Sequence, residues 1–100
     1  MAIGAKAFTT SGTTVIHTGP VNFYGITLRN AAGTTDNVVT VFDNTAASGT
    51  VLASFGPLAT AGAANSFAQV IFPAAIRAAI GITVAITGTT PNIVGSVLAD

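Results

Sequence analysis

VVTVFD, residues 38–43, is the stretch that decides the fold. Val, Thr and Phe pack well on a pleated surface, and branching at Cβ restricts the side chain in a helix, so this run predicts a β-strand. The run ends in Asp43 and Asn44, whose side chains readily accept hydrogen bonds from turn amides. We therefore predict a strand that closes in a polar turn.

Working outward, similar apolar runs lie on both sides, separated by turn-forming clusters about eight to twelve residues apart. Further strands are predicted at residues 13–18, 23–30, 50–55, 66–72, 82–87 and 93–98. Residues 73–80 (PAAIRAAI) fit either a turn of helix or an irregular strand, because Pro suits a first helical turn but the segment is short for a stable helix. The chain is thus predicted to be all-β, a single-domain antiparallel β-sandwich over residues 1–100, with about seven or eight strands in a jelly-roll or Ig-like arrangement.

Alternation within these runs predicts which side chains face inward. In FYGITLRN, residues 23–30, it places Tyr24, Ile26 and Leu28 on one face and Phe23, Gly25, Thr27 and Arg29 on the other. The predicted core contains Val39, Val41, Leu52, Phe72, Val84 and Ile86. Most aromatic residues, namely Phe8, Phe23, Tyr24, Phe42, Phe55, Phe67 and Phe72, are also spaced for a sandwich core.

The composition is unusual in its charge. Half of the residues are hydrophobic, but only 6% are charged, with three basic and three acidic residues and a net charge of +0, against about 25% charged residues in typical soluble domains. So little charge disfavours nucleic acid and acidic membranes as partners, whereas a surface of Thr, Ser, Asn, Gly and Ala tolerates being covered by neighbouring proteins. The absence of Cys excludes disulfides and thiolate metal sites.

The sequence offers little for catalysis. His17 is the single histidine, and on a strand it is predicted to be a hydrogen-bonded structural residue rather than a base or ligand. Asp43 and Asn44, with Asp36 nearby, carry oxygen ligands but lack the spacing of a calcium loop, so turn and capping roles are favoured. No nucleophile elbow or phosphate-binding loop is present. We predict a protein that is not an enzyme and has no cofactor or metal.

Arg77 is the most informative charge, because it lies in an apolar stretch. It must extend to solvent or find an acceptor such as Asp43, Asp36 or a group of carbonyls. A pair that stabilises the fold is favoured over a contact between subunits.

From Tyr24 onward the order of elements resembles a group of small virion proteins of tailed bacteriophages. The resemblance rests on YGITLRN, VFDNTAASGTVL, VIFPAAIRAAIGITVAITGT and IVGSV. The group often has Gly before the Ile-Arg pair and an aromatic residue after it, where this chain has Ala75 and Ala78. The resemblance implies a β-sandwich used as a capsid decoration protein, or as a knob on a fibre or tail.

The predicted function is therefore that of a decoration, or cement, protein that binds the outer surface of an icosahedral shell and stabilises it. The implied partners are the major capsid protein and further copies of this chain, which would form a homotrimer. Neither nucleic acid nor a membrane is an expected partner. The protein would be made in the host cytoplasm and would be located on the capsid surface of the virion. Residues 1–12 are predicted to form an extended arm along another protein's sheet edge. The predicted partner-binding residues are Ala2, Ile3, Lys6, Phe8 and Arg77. The alternative is a tail- or fibre-associated structural module, or one that binds a receptor or carbohydrate.

Overall fold

The chain folds into two antiparallel sheets packed face to face. A computed structural model describes residues 4–10, 12–31, 37–56, 67–88 and 93–100. Within these ranges, eight strands are divided equally between two sheets. The strands are β1 Gly4–Thr10, β2 Gly12–Thr18, β3 Val21–Asn30, β4 Val38–Asp43, β5 Thr50–Phe55, β6 Phe67–Ala78, β7 Gly81–Thr87 and β8 Ile93–Ala99.

The strand order distinguishes between the two predicted topologies. Sheet A has the order β1-β8-β3-β6, and sheet B has the order β2-β7-β4-β5. The pairs β1–β8, β2–β7, β3–β6 and β4–β5 are all antiparallel, as in a long hairpin folded over on itself. This is the arrangement of a jelly roll. The predicted all-β sandwich is confirmed.

The ambiguous residues 73–80 continue a strand. β6 runs to Ala78, and only a two-residue turn separates it from β7. Pairing with β3 is regular for residues 67–71 and resumes at Ile76, so residues 72–75 fall opposite Tyr24 alone. Pro73 has no N–H to donate to a strand ladder, and it lies in this interruption. Of the two predicted alternatives for residues 73–80, the structure therefore has the irregular strand.

Among the described residues, no helix reaches the length and hydropathy of a membrane span.

A bulge in β3 corrects the predicted faces. Phe23 pairs with Ala99 of β8, and Gly25 pairs with the preceding Leu98, which leaves Tyr24 as an extra residue in β3. Side chains on both sides of the bulge therefore point inward, and Phe23 and Ile26 are both fully buried. The assignment of Phe23 to the face opposite Ile26 was wrong, because one inserted residue reverses the alternation.

The core lies between the two sheets. Four predicted members, Val39, Val41, Val84 and Ile86, are buried, while Leu52 and Phe72 are half-buried against them. Phe23 and Phe72 pack edge to face, with ring centroids 5.4 Å apart. Phe67 was also expected in the core but is 65% exposed.

Candidate functional site

The predicted N-terminal arm is largely a strand of the protein's own sheet. Gly4–Thr10 pairs with β8 along its whole length, with Lys6 opposite Val97 and Phe8 opposite Gly95. The expectation of a free arm was therefore wrong for these residues, because the β8 edge accepts them as an eighth strand. Ala2 and Ile3 lie outside the described residues. Lys6 and Phe8 thus belong to a strand at the edge of sheet A.

Arg77 has a partner within its own chain, as predicted, but the acceptor is a different one. Its guanidinium donates to Asn22 Oδ1 at 3.2 Å, and Asn22 Nδ2 donates to a carboxylate oxygen of Asp100 at 3.3 Å. Strands β3 and β6 place Arg77 directly opposite Asn22, whereas Asp43 bonds elsewhere. Two backbone hydrogen bonds of 3.0 Å also join Asn22 and Asp100. The cluster ties three strands of sheet A together at one end.

Tyr24, the bulge residue of β3, lies beside this cluster. Partial burial raises the pKa of its hydroxyl, and the negative charge of Asp100 and a hydrogen bond to that carboxylate raise it further. Both the burial and the nearby carboxylate thus favour the protonated phenol, which donates its hydrogen bond to Asp100.

Asp43 anchors the turn between β6 and β7. Its Oδ2 accepts the amide N–H of Ala79 at 3.0 Å, and its Oδ1 accepts those of Ile80 at 2.9 Å and Gly81 at 3.3 Å. These bonds, led by that of Ile80, hold the pKa of Asp43 below its usual value. The predicted turn role of Asp43 is confirmed, and it extends to a turn that is distant in sequence.

Asn44 stabilises the turn that follows β4. Its Nδ2 donates to the backbone oxygen of Ser48 at 2.9 Å, and its Oδ1 accepts the amide of Thr45. The Asn44 carbonyl accepts the Thr83 hydroxyl at 2.7 Å. The oxygens of Asp43 and Asn44 thus accept hydrogen bonds from turns and from β7, which agrees with the predicted turn and capping roles. Asp36 lies outside the described residues.

His17 lies half-buried in β2, beside a bulge, with Ile82 opposite. Its imidazole has no hydrogen-bond partner in the described part of the chain, so the predicted structural hydrogen bond stays a prediction. No group of three or more His, Cys, Asp or Glu side chains that could hold a metal occurs among residues the structure describes.

One row of residues on the outer face of sheet B has an exposed valine at each end. By strand register, Val15 of β2, Thr83 of β7, Phe42 of β4 and Val51 of β5 follow one another across all four strands. Val15 is 47% exposed and Val51 52% exposed, whereas Phe42 is half-buried and Thr83 is fully buried, with its hydroxyl donating to the Asn44 carbonyl. We call these four residues the outer row. The described strands of sheet B carry no ionisable residue besides His17 and Asp43.

Sheet A has an open groove on its outer face, at the end where β6 and β8 begin. It has a volume of about 330 Å³, and Arg29, Phe67, Gln69 and Val94 are among the residues that line it. Arg29 lies between Phe67 and Val94 in the register, and its guanidinium is exposed without a partner in the described ranges.

Sequence reasoning missed both surfaces. The alternation in residues 66–72 marks two faces of a strand, but nothing in it says that β6 is at an edge, where Phe67 remains exposed. The outer row joins residues from four strands, so it appears only once the register is known. No protein-family model, curated protein or solved structure matches this chain.

Proposed function

We propose that this protein is a structural subunit of a larger assembly, a decoration protein that binds the outer surface of an icosahedral virion shell and stabilises it. The observation that carries the proposal is the outer row, in which two exposed valines, Val15 and Val51, lie at the two edges of a nearly uncharged sheet face. Exposed apolar side chains gain free energy when another protein covers them. Covering this sheet face with another protein removes few charges from water, so little desolvation opposes binding.

The order of elements supports the choice of a virion. The segments that resemble phage virion proteins fall on β3, on β4 and β5, on β6 and β7, and on β8. They therefore make up the framework of the jelly roll rather than a single local motif. In the same framework Lys6 and Phe8 stay candidates for partner binding, because β1 is an edge strand among the described strands of sheet A.

The mechanism follows from this placement. On binding, Val15 and Val51 of the outer row become buried against shell subunits, while the sandwich behind them keeps its structure. A protein that binds two neighbouring subunits at once resists their separation, because unbinding must accompany rupture. No step of chemistry is required of its side chains.

The experiment uses shells prepared without this protein. Adding the protein back should give stoichiometric attachment and raise the temperature at which the shells rupture. Val51→Lys should weaken attachment, because it places a charge in the outer row. Ile80→Lys is the matched control, since Ile80 is also 52% exposed but lies in the turn between β6 and β7.

The outcomes separate the function from the surface. If the wild-type protein attaches nowhere on the particle, the proposed function is wrong. If both variants attach like the wild type, the shell-binding surface lies away from the outer row. Attachment at tail or fibre positions alone would favour the alternative role.

A second candidate function rests on the groove in sheet A. There an exposed aromatic ring, Phe67, lies beside a cation, Arg29, and an amide, Gln69. Such a combination can contact an apolar face of a sugar or receptor while donating hydrogen bonds to its polar groups. Binding of the protein to a glycan panel, lost in Phe67→Ala and retained in Val51→Lys, would favour this receptor- or carbohydrate-binding role.

A further inference from the structure

The first half of β6 lies at an edge of sheet A among the strands that the structure describes. Residues 67–71 pair with β3 on one side, and no other described strand lies on their second side. Phe67 is 65% exposed, Ile71 is 51% exposed, and Gln69 between them is exposed. An open edge presents backbone N–H and C=O groups that can pair with another strand.

Other edges of the sandwich carry protection that residues 67–71 lack. Strand edges are commonly blunted by charges, proline or bulges. β1 contains Lys6, while β2 and β5 each have a register shift. Within β6 itself, Pro73 and the irregular residues 72–75 stop regular pairing beyond Ile71. Residues 67–71, FAQVI, have no charge, proline or bulge.

We propose that residues 67–71 of two copies of this chain pair antiparallel around Gln69, forming a two-fold symmetric dimer in which the two A sheets become continuous. In this register Phe67 lies opposite Ile71 of the second copy, and Gln69 lies opposite its own equivalent. The same contacts occur twice, as in any isologous interface.

The segment itself is the reason to choose a second copy as the occupant. When two FAQVI segments pair antiparallel, apolar side chains lie opposite apolar side chains at both ends. The two Gln69 amides lie opposite each other at the centre. A Gln side chain both donates and accepts, so two of them can bond to each other. Because the segment is uncharged, self-pairing brings no like charges together. The proposal goes beyond the virion role and does not rest on it, and it predicts a dimer of the free protein in place of the trimer implied by the resemblance.

The test is sedimentation equilibrium of the whole protein over a wide concentration range. The wild type should form dimers as concentration rises. Gln69→Lys and Gln69→Glu should each dissociate at least about tenfold more readily, because each puts like charges opposite each other. An equimolar mixture of the two variants should recover the dimer, since Lys then lies opposite Glu.

The control is Ser96→Lys, in the same row of sheet A but two strands in from this edge. It adds the same charge and should leave dimerisation unchanged. Circular dichroism melts of all variants confirm that each is folded. A wild-type monomer at every concentration, a wild-type trimer, a dimer unaffected by both Gln69 variants, or a mixture that stays monomeric would each overturn the proposal. Shell attachment is measured separately, so it can succeed or fail independently of this result.

Discussion

β6 and β7 are consecutive in the chain and both are rich in apolar residues, yet their environments are opposite. β7 is buried at five of its first six positions, whereas β6 alternates between exposed and half-buried residues as far as Phe72, is exposed over residues 73–75, and is buried only at Ala78. β7 lies between β2 and β4, whereas β6 has β3 alone as a described neighbour. A strand's place in its sheet, rather than its hydrophobicity, therefore sets how much each side chain contributes to stability.

The largest expected effect is a difference between the two strands in the stability lost when a side chain is truncated and leaves a cavity. Val84 of β7 is fully buried and Val70 of β6 is half-buried. Truncating Val84 to Ala should lower the free energy of unfolding by about 2–3 kcal/mol, and Val70→Ala should lower it by about 1 kcal/mol. Urea denaturation of the two variants measures the difference. Equal losses would show that centre and edge contribute alike.

The second prediction concerns the start of β7. A Cβ on Gly81 would lie 2.5 Å from the backbone oxygen of His17, an atom that cannot move alone. Gly81→Ala should therefore cost about 2 kcal/mol. Gly19→Ala is the control, because Gly19 has a φ of +98° but open space around it, and it should cost about 1 kcal/mol from the backbone alone. A smaller loss at Gly81 than at Gly19 would contradict the tight packing.

The third prediction tests the turn that joins the two strands. Asp43→Asn removes the negative charge and one of the two oxygens that accept the three turn amides. It should lower the free energy of unfolding by about 1 kcal/mol near neutral pH. Since folding lowers the pKa of Asp43 below its usual 3.8, its contribution is complete above that value and is lost as pH falls through the lower folded pKa. Unfolding curves at several pH values should show the two proteins converging in acid. A gap that persists there would mean that the charge is not responsible.

The smallest effect is expected on the exposed edge. Gln69→Lys should change the stability of the dilute monomer by less than about 0.5 kcal/mol, because the side chain is exposed. Thermal unfolding at low protein concentration provides the measurement. A large loss would mean that the edge supports the fold and is not free for association.

The strands and the core could be predicted because they depend on local patterns. β4 and β5 have the predicted bounds, and Val39, Val41, Val84 and Ile86 are buried. The turn role of Asp43 followed from its short polar side chain, although its partners across the sheet did not.

What could not be predicted depends on pairing between distant segments. The bulge at Tyr24 reverses the faces of β3, and Gly25 beside it is the one residue of FYGITLRN that is typical of a bulge. A glycine alone does not say which residue is the extra one, so the faces could not be read from the alternation. Arg77 bonds to Asn22 because β3 and β6 are neighbours, a fact absent from either segment alone. The N-terminal strand was mistaken for an arm because its partner, β8, lies at the other end of the sequence.

The nested pairing of the strands also has a consequence for how the protein folds. β4 and β5 form the innermost pair, joined by residues 44–49, and each successive pair encloses a longer loop until β1 meets β8. Closing long loops costs chain entropy before contacts compensate for it, so topologies rich in distant contacts fold slowly. We expect the β4–β5 hairpin to form early and β1 to dock last. Mutations in β1 should then accelerate unfolding while leaving the refolding rate nearly unchanged.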